Sequence, residues 1–351
     1  MAERPGRANA AAWPARPRNR RPGRDHRGAV FREGTVGHCE VPEAEAILDQ
    51  ELPVLNKGFV RLVDYMGCDR RIVQAARVSY GGGTKTFRQD KGLIHYLLRN
   101  RHTSPFEQVV FTFHAKMPIF VARQWIRHRT ARVNEISGRY SVMEAEFYVP
   151  DQSAVAGQSS NNKQGREDEP LPTEAAERII ESIEASHQRE YGHYEALLEE
   201  GVARELARID LPLSLYTELY WQIDLHNLFH FLELRLDPHA QYEIRTYAER
   251  ILEVARRVCP IATDAFNEYV RGAVTFSAQE HEVLIDLIDA HGDHTPDGPP
   301  AAGDGWPELE SLCERHGLTR KAAERLAEKL RRRATGVHPA ADAERAEEGR
   351  T

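Results

Sequence analysis

The chain of 351 residues carries 47 Lys and Arg against 54 Asp and Glu, a net charge of −7, which excludes a general polyanion binder and leaves any basic cluster to act locally. With 41% apolar residues it can bury a sizeable core, as one large domain with appendages or as two domains. No apolar run is long enough to span a bilayer, and Cys39, Cys68, Cys259 and Cys313 form no C-x-x-C pair, which argues against a zinc ribbon or disulfide framework and fits a reducing cytoplasm.

Residues 1–40 hold eight Arg before Arg32, several Pro and Gly, and few apolar side chains. Such a segment cannot offset its ordering entropy, so a disordered arm is expected. It lacks the apolar stretch of a secretory signal and the amphipathic period of a transit peptide. It reads as a partner-binding tail or as a dispensable extension.

From Lys57 the texture changes. KGFVRLVDYMG alternates as a strand ending in a turn at Gly67. DRRIVQAARVSY has helical spacing, with Ile72, Ala75, Ala76 and Ser79 on one face. GGGT, Gly81 to Thr84, breaks it, and KGLIHYLLRN reads as another helix. QVVFTFHAKM is the cleanest strand: Val109, Phe111, Phe113 and Ala115 point one way, and Thr112, His114 and Lys116 the other. Pro118 suits the first turn of a helix, IFVARQWIRHR. RHRTARVNEISGRYS, Arg127 to Ser141, then begins at that helix's end and runs out as a loop.

Residues 151–171 are polar and read as a surface loop, followed by a long helix over about 172–200 and a shorter helical piece, VARELARID. LSLYTELYWQID alternates as a strand. Asp224 is placed to cap the helix DLHNLFHFLELR. Pro238 opens the next helix, which runs to Cys259 and stops at Pro260. Strands and helices are interspersed without a regular βαβ repeat, so the fold class is α+β with an antiparallel sheet flanked by helices. The main unit is expected over 41–290, a Pro/Gly linker over 291–305, and a helical extension over 306–351, spaced through Leu309, Leu312, Leu318, Ala322, Leu326 and Leu330.

The Arg127–Ser141 stretch concentrates fixed charge. Arg127, Arg129, Arg132 and Arg139 can each hold an anion, and guanidinium does so bidentately for phosphate. His128 adds a titratable donor, and Glu135 an acceptor within a cationic site. Ser137, Gly138 and Tyr140 add a hydroxyl, a close backbone approach and an aromatic edge. That inventory suits a nucleotide; it also describes a solvated basic loop tied down by Glu135.

Arg127-His128-Arg129, then TARVNEI, then Ser137 resembles the R-H-R, seven residues, Ser signature of flavin-dependent thymidylate synthases. RHTSPFEQVVFTFHAKMPIFVARQW, ELARIDLPLSLYTELYW and LELRLDPHAQYEIR are similar to the family's flanking segments, so the resemblance runs from about Lys57 to about Ala273. It implies methylation of dUMP to dTMP with the methylene group of methylenetetrahydrofolate and with FAD reduced by NADPH, releasing tetrahydrofolate. It further implies a cytoplasmic homotetramer whose FAD sites lie between subunits. None of the four cysteines has the Pro-Cys-His setting of the unrelated folate-only synthases; Cys259 precedes Pro260.

Roles carry over residue by residue. Gln124, Arg127, Glu135, Ser137, Gly138, Arg139 and Arg208 match dUMP-site positions, and Arg235 the arginine near the uracil. Ser79, His102, Ser104, Glu107, Arg127, His128, Arg129 and Glu135 match positions that hold FAD, with His102 close to the flavin ring. Arg235, Ser137 and His102 are the expected catalytic set, Ser137 as an orienter since no base is placed to activate it. Asp224, His226 and His230 fall at positions that usually help hold the flavin; where many members have Asn and Arg, this chain has Asp and His, which leaves the shape of the flavin pocket open.

Two rival readings are weaker. HNLFH sets His226 and His230 at the spacing of two metal ligands, but Asn227 stands where H-E-x-x-H needs Glu, so no metal is expected. An Arg-rich nucleic-acid module conflicts with the net charge and the lack of an aromatic-rich basic face.

Overall fold

The computed structural model describes residues 38–78, 87–160, 163–291 and 315–331. Nearly all of the Arg-rich arm, Ser79, the Gly81–Thr84 break, the linker beyond His291, and Leu309 and Leu312 lie outside the described residues.

The strands are β1 (Glu51–Val54), β2 (Gly58–Met66), β3 (Val110–Pro118), β4 (Arg132–Glu135), β5 (Ala156–Gln158), β6 (Arg166–Pro170) and β7 (Tyr216–Asp224). The helices are α1 (Pro42–Glu45), α2 (Asp69–Arg77), α3 (Phe87–Arg99), α4 (Ile119–Trp125), α5 (Thr173–Glu199), α6 (Arg204–Ala207), α7 (Leu225–Arg235), α8 (Tyr242–Val258), α9 (Pro260–Phe266), α10 (Ala278–His291) and α11 (Arg320–Arg331). The main sheet runs β1-β2-β3-β7-β4 with every pair antiparallel, as the α+β reading requires.

β3 shows why the sheet has one wet and one dry face. Val109, Phe111, Phe113 and Ala115 are fully buried, joined by Leu62 across β2 and by Leu219, Trp221 and Ile223 across β7. Helices cover this face through an aromatic cluster. Trp221 meets Trp125 of α4 and Phe231 of α7, each with ring centroids 5.1 Å apart, and Trp125 meets Phe231 at 5.0 Å. Each such ring contributes roughly 1.5–3 kcal/mol on burial. The cluster therefore pins the end of α4 against α7. Gly58 is needed because a Cβ there would strike the Tyr247 hydroxyl and the Lys116 carbonyl, which are themselves hydrogen-bonded at 2.7 Å.

The opposite face is polar. Arg61 donates to His114 Nδ1 (2.7 Å), and His114 Nε2 contacts Glu218 (2.9 Å). Because Arg cannot accept, His114 carries its proton on Nε2 and donates it to Glu218. The His114 ring stacks on Tyr220 with centroids 4.8 Å apart.

Several elements differ from the sequence reading. α2 buries Ile72 and Val73, not Ala75. α4 stops at Trp125 rather than continuing through Arg129, because the chain turns there, with His128 N–H donating to the Trp125 carbonyl at 3.0 Å. The expected loop after it contains β4, which pairs with the edge of β7. The polar stretch 151–171 contains the β5–β6 hairpin. Pro238 does not open a helix: Asp237 accepts from His239 N–H at 2.7 Å in a turn, and α8 begins at Tyr242. Pro260 both follows α8 and opens α9.

Leu318, just ahead of α11, and Ala323 and Leu326 of α11 pack against Val283 of α10. Ser277 and Glu280 form a capping box at the start of α10, and Lys329 reaches both Glu280 oxygens at 2.7–2.8 Å. Among the described residues no helix is long and apolar enough to cross a membrane.

Candidate functional site

Three groups of the expected residues emerge. The first is built where α4 ends beside the end of α7. The Arg235 Nε donates to His128 Nε2 at 3.0 Å, and Nη2 donates to the Gln124 carbonyl at 3.2 Å. Gln124 also bonds Gln241, just ahead of α8, through its side chain. His128 is half-buried against the Phe231 ring, centroids 4.8 Å apart, with His230 at 6.0 Å. Burial, then the Arg235 charge, then His230 push the His128 imidazole down to about 4. It is therefore neutral at physiological pH, with its proton on Nδ1, since Nε2 accepts from Arg235. Arg127 and Arg129 on either side point outward, exposed, with no hydrogen bond or ion pair among the described residues.

The second group lies beyond β4. Glu135 accepts from Thr217 Oγ1 at 2.6 Å, which fixes its carboxylate beside β7. The chain then turns tightly: Tyr140 and Ser141 N–H donate to the Ser137 carbonyl, and Arg139 N–H reaches Ser137 Oγ at 3.3 Å. No basic side chain contacts Ser137 Oγ among the described residues, so nothing there activates it as a nucleophile. Gly138 is buried, and a Cβ there would lie 3.1 Å from Met143 Sδ and 3.2 Å from Arg208 Cδ. The missing side chain is what lets Arg208 come in against the turn. Arg139 pairs with Glu205 of α6 at 3.3 Å, and both are more than half exposed, so that pair is weak and easily exchanged for a ligand anion.

The third group surrounds the start of α7. Asp224 caps this helix as expected: one oxygen accepts from Asn227 N–H at 3.0 Å and the other from the Asn227 amide at 2.7 Å. Both oxygens are thus engaged by the fold. The loop carrying His102, Ser104 and Glu107 lies alongside, held by Phe106 against Phe229 (6.5 Å) and by Leu225 N–H to the Val109 carbonyl (2.8 Å). His102, Ser104 and Glu107 are exposed; His102 meets the edge of Tyr96 at 5.9 Å. His226 is partly buried and His230 exposed. Among the described residues no His, Cys, Asp and Glu group is arranged to hold a metal ion.

The second and third groups do not meet within one chain. Arg132 pairs with Gln222 and Glu135 with Leu219, so β4 leads away from Asp224. Six residues of strand separate Asp224 from Glu218, whose carbonyl accepts from Ile136 N–H; at strand rise that is about 20 Å. Around the second group, Val133, Ile136, Tyr140, Leu206, Ile209 and Leu213 are exposed apolar side chains.

Gln241, Glu205 and Thr217 were not singled out from sequence. Gln241 lies in the AQYEIR segment, but its bond to Gln124 spans 117 residues and leaves no local signal. A cleft of about 510 Å³ opens beside Gln241, between the β5–β6 hairpin and the start of α8, lined by Arg166, Tyr242, Glu243 and Arg245; it holds none of the expected site residues.

Residues 61–261 match the family described as thymidylate synthase complementing protein. A flavin-dependent thymidylate synthase of Treponema denticola is 62% identical over 241 residues, covering 69% of this chain and 91% of that protein. Its counterpart in Treponema pallidum is 57% identical over 259 residues, covering 74% and 85%. The crystal structure of a UMP/dUMP methylase from Streptomyces cacaoi bound with 5-bromo-UMP superposes with a TM-score of 0.57 at 35% identity, covering 63% of this chain and 98% of that one.

Proposed function

Because the chain belongs to the flavin-dependent thymidylate synthase family, we propose that it methylates dUMP to dTMP, drawing the carbon from methylenetetrahydrofolate and the electrons from NADPH through FAD, with tetrahydrofolate released. The observation that carries this reading is the folded R-H-R…S segment: it joins an oriented Arg235 to a cationic turn at Ser137–Arg139 and Arg208.

Arg127, Arg139 and Arg208 supply the charge for the nucleotide phosphate. Ser137 and Gly138 offer a hydroxyl and an open backbone, and Glu135, held by Thr217, accepts from the sugar or base. Gln124 reads the uracil edge. Arg235 stabilises the negative charge that develops on the uracil carbonyl as the ring carbon is attacked or reduced. Ser137 holds the nucleotide in register while this occurs.

The donor set suits FAD. Arg129 is an exposed cation for the pyrophosphate, His102, His226 and His230 offer imidazole faces and donors, and Ser104 and Glu107 offer hydrogen-bonding groups on one loop. Asp224 acts by holding the start of α7, with Ser79 a further candidate. When bound, the flavin supplies the hydride that leaves the folate unoxidised. His128 is turned inward, its Nε2 engaged by Arg235, which leaves holding the FAD to its neighbours Arg127 and Arg129.

The roughly 20 Å between the Ser137 turn and the start of α7 supports a site completed by a second copy, and the exposed apolar surface around β4 and α6 is where that copy would seat. A cytoplasmic homotetramer follows this reading. Tritium release from [5-³H]dUMP, with NADPH, FAD and methylenetetrahydrofolate each omitted in turn, tests the chemistry. Release that needs every component, with dTMP formed, is expected; release independent of flavin would refute it. Full activity from a monomer on size exclusion would refute the shared site.

A further inference from the structure

We propose that His128 is the positioning residue of Arg235: a neutral imidazole that accepts from the guanidinium and so aims its remaining donors at the nucleotide. The inference rests on the dUMP reading above and adds to it the device that sets the arginine's direction.

A guanidinium on a flexible side chain has five N–H donors and no fixed heading. Here two are committed to the protein. Nε goes to His128 Nε2 at 3.0 Å and one Nη2 hydrogen to the Gln124 carbonyl at 3.2 Å. Two anchors on one planar group fix both its position and its plane. The three N–H groups left over are the two on Nη1 and one on Nη2. Removing either anchor frees rotation about the last side-chain bonds.

His128 is suited to this because nothing else recruits its Nε2. Its ring sits edge-on to Phe231, which belongs to the buried Trp125–Trp221 cluster, so its orientation is set by the core and not by solvent. The charged and titratable groups facing it are Arg235 and His230, both on α7; no carboxylate faces it among the described residues. A protonated ring would turn an acceptor into a cation against a cation, and burial together with Arg235 disfavours that form. Arg235 stays charged while partly desolvated, which strengthens its field at the uracil. The middle residue of R-H-R thus organises the substrate side of the site.

The test is a double-mutant cycle on FAD-loaded protein, reading dUMP affinity by calorimetry and turnover by tritium release. Three single variants enter it: His128→Phe, which keeps the ring but loses the acceptor; His128→Gln, whose Oε1 can occupy the Nε2 position; and Arg235→Gln. His128→Phe is expected to weaken dUMP binding about tenfold and lower kcat about a hundredfold, with FAD content retained. His128→Gln should keep both within about threefold. In the Arg235→Gln background, His128→Phe should cost less than about twofold more, because coupled residues are not additive. Additive losses, equal losses in the Phe and Gln variants, or a loss of FAD that accounts for the whole activity loss would each overturn the proposal. Absence of dUMP binding by the wild type would instead refute the reading of the site itself.

Discussion

Asp69, the first residue of α2, accepts hydrogen bonds from Ile261 N–H at 2.8 Å and Ala262 N–H at 3.0 Å, and so caps the start of α9 from 192 residues away. Cys259, the residue at α9's own cap position, provides no side-chain cap. A helix start buried beside the core leaves orphan donors, and Asp69 satisfies two of them.

That cap has a pH signature. Burial outweighs the two N–H donors and raises the Asp69 carboxyl to about 6, from 3.8. A carboxylate raised on folding stabilises most below its unfolded value, and the contribution is lost as pH rises through the folded value. The shift corresponds to on the order of 2–3 kcal/mol. Asp69→Asn cannot titrate. Relative to this variant, the wild type should lose about that much stability between pH 4 and pH 7 in urea unfolding followed at both pH values. A constant difference would mean Asp69 is not buried as its bonds imply.

Gly138→Ala tests the nucleotide turn. The new methyl would sit 3.2 Å from Arg208 Cδ and 3.1 Å from Met143 Sδ, closer than ordinary contact, and the flexible arginine gives way first. If Arg208 holds the nucleotide phosphate as proposed, displacing its guanidinium should raise KM for dUMP about tenfold, or ~1.4 kcal/mol, with the melting temperature almost unchanged. An unaltered KM would show that Arg208 does not reach the nucleotide.

Legibility in the sequence followed burial. β3 was readable because its two faces differ completely, with Phe111 and Phe113 buried and His114 and Lys116 on the other side. β4 was not, because Arg132 to Glu135 are all exposed; an edge strand that buries no apolar side chain shows no alternation. The β5–β6 hairpin is short and polar for the same reason. Motif resemblance named the site residues. It carried no sign that His128 faces Arg235, since that contact joins positions 107 residues apart. Asp224 was legible as a cap because capping is a local, three-residue affair.

The α10–α11 pair depends on one buried carboxylate. Burial opposes ionisation of Glu280, but the Lys329 ammonium and the Ser277 N–H outweigh it and lower its pKa. A lowered carboxylate stabilises above its unfolded value, and the effect fades as pH falls through the folded one. Lys329 is partly exposed, so solvent screens part of the pair. Glu280→Gln should speed hydrogen exchange of the Arg320–Arg331 amides about tenfold at neutral pH while dUMP turnover stays unchanged. At acidic pH the wild type should approach the variant. Loss of turnover in the variant would tie this helix pair to the catalytic unit.

Arg235→Lys separates the arginine's charge from its geometry. Lysine keeps the cation but is a point donor on a flexible stem. It cannot reproduce the planar pair of anchors to His128 and the Gln124 carbonyl while also facing the uracil. Electrostatic stabilisation depends on donors already aimed at the developing charge, and misdirecting one typically costs about a hundredfold in kcat. FAD content should stay within about twofold, because Arg235 lies at the far end of α7 from Asp224 and His226. Flavin absorbance per protomer and single-turnover tritium release, measured on the same preparation, read the two quantities independently. Parallel loss of both would move Arg235 from the substrate to the flavin.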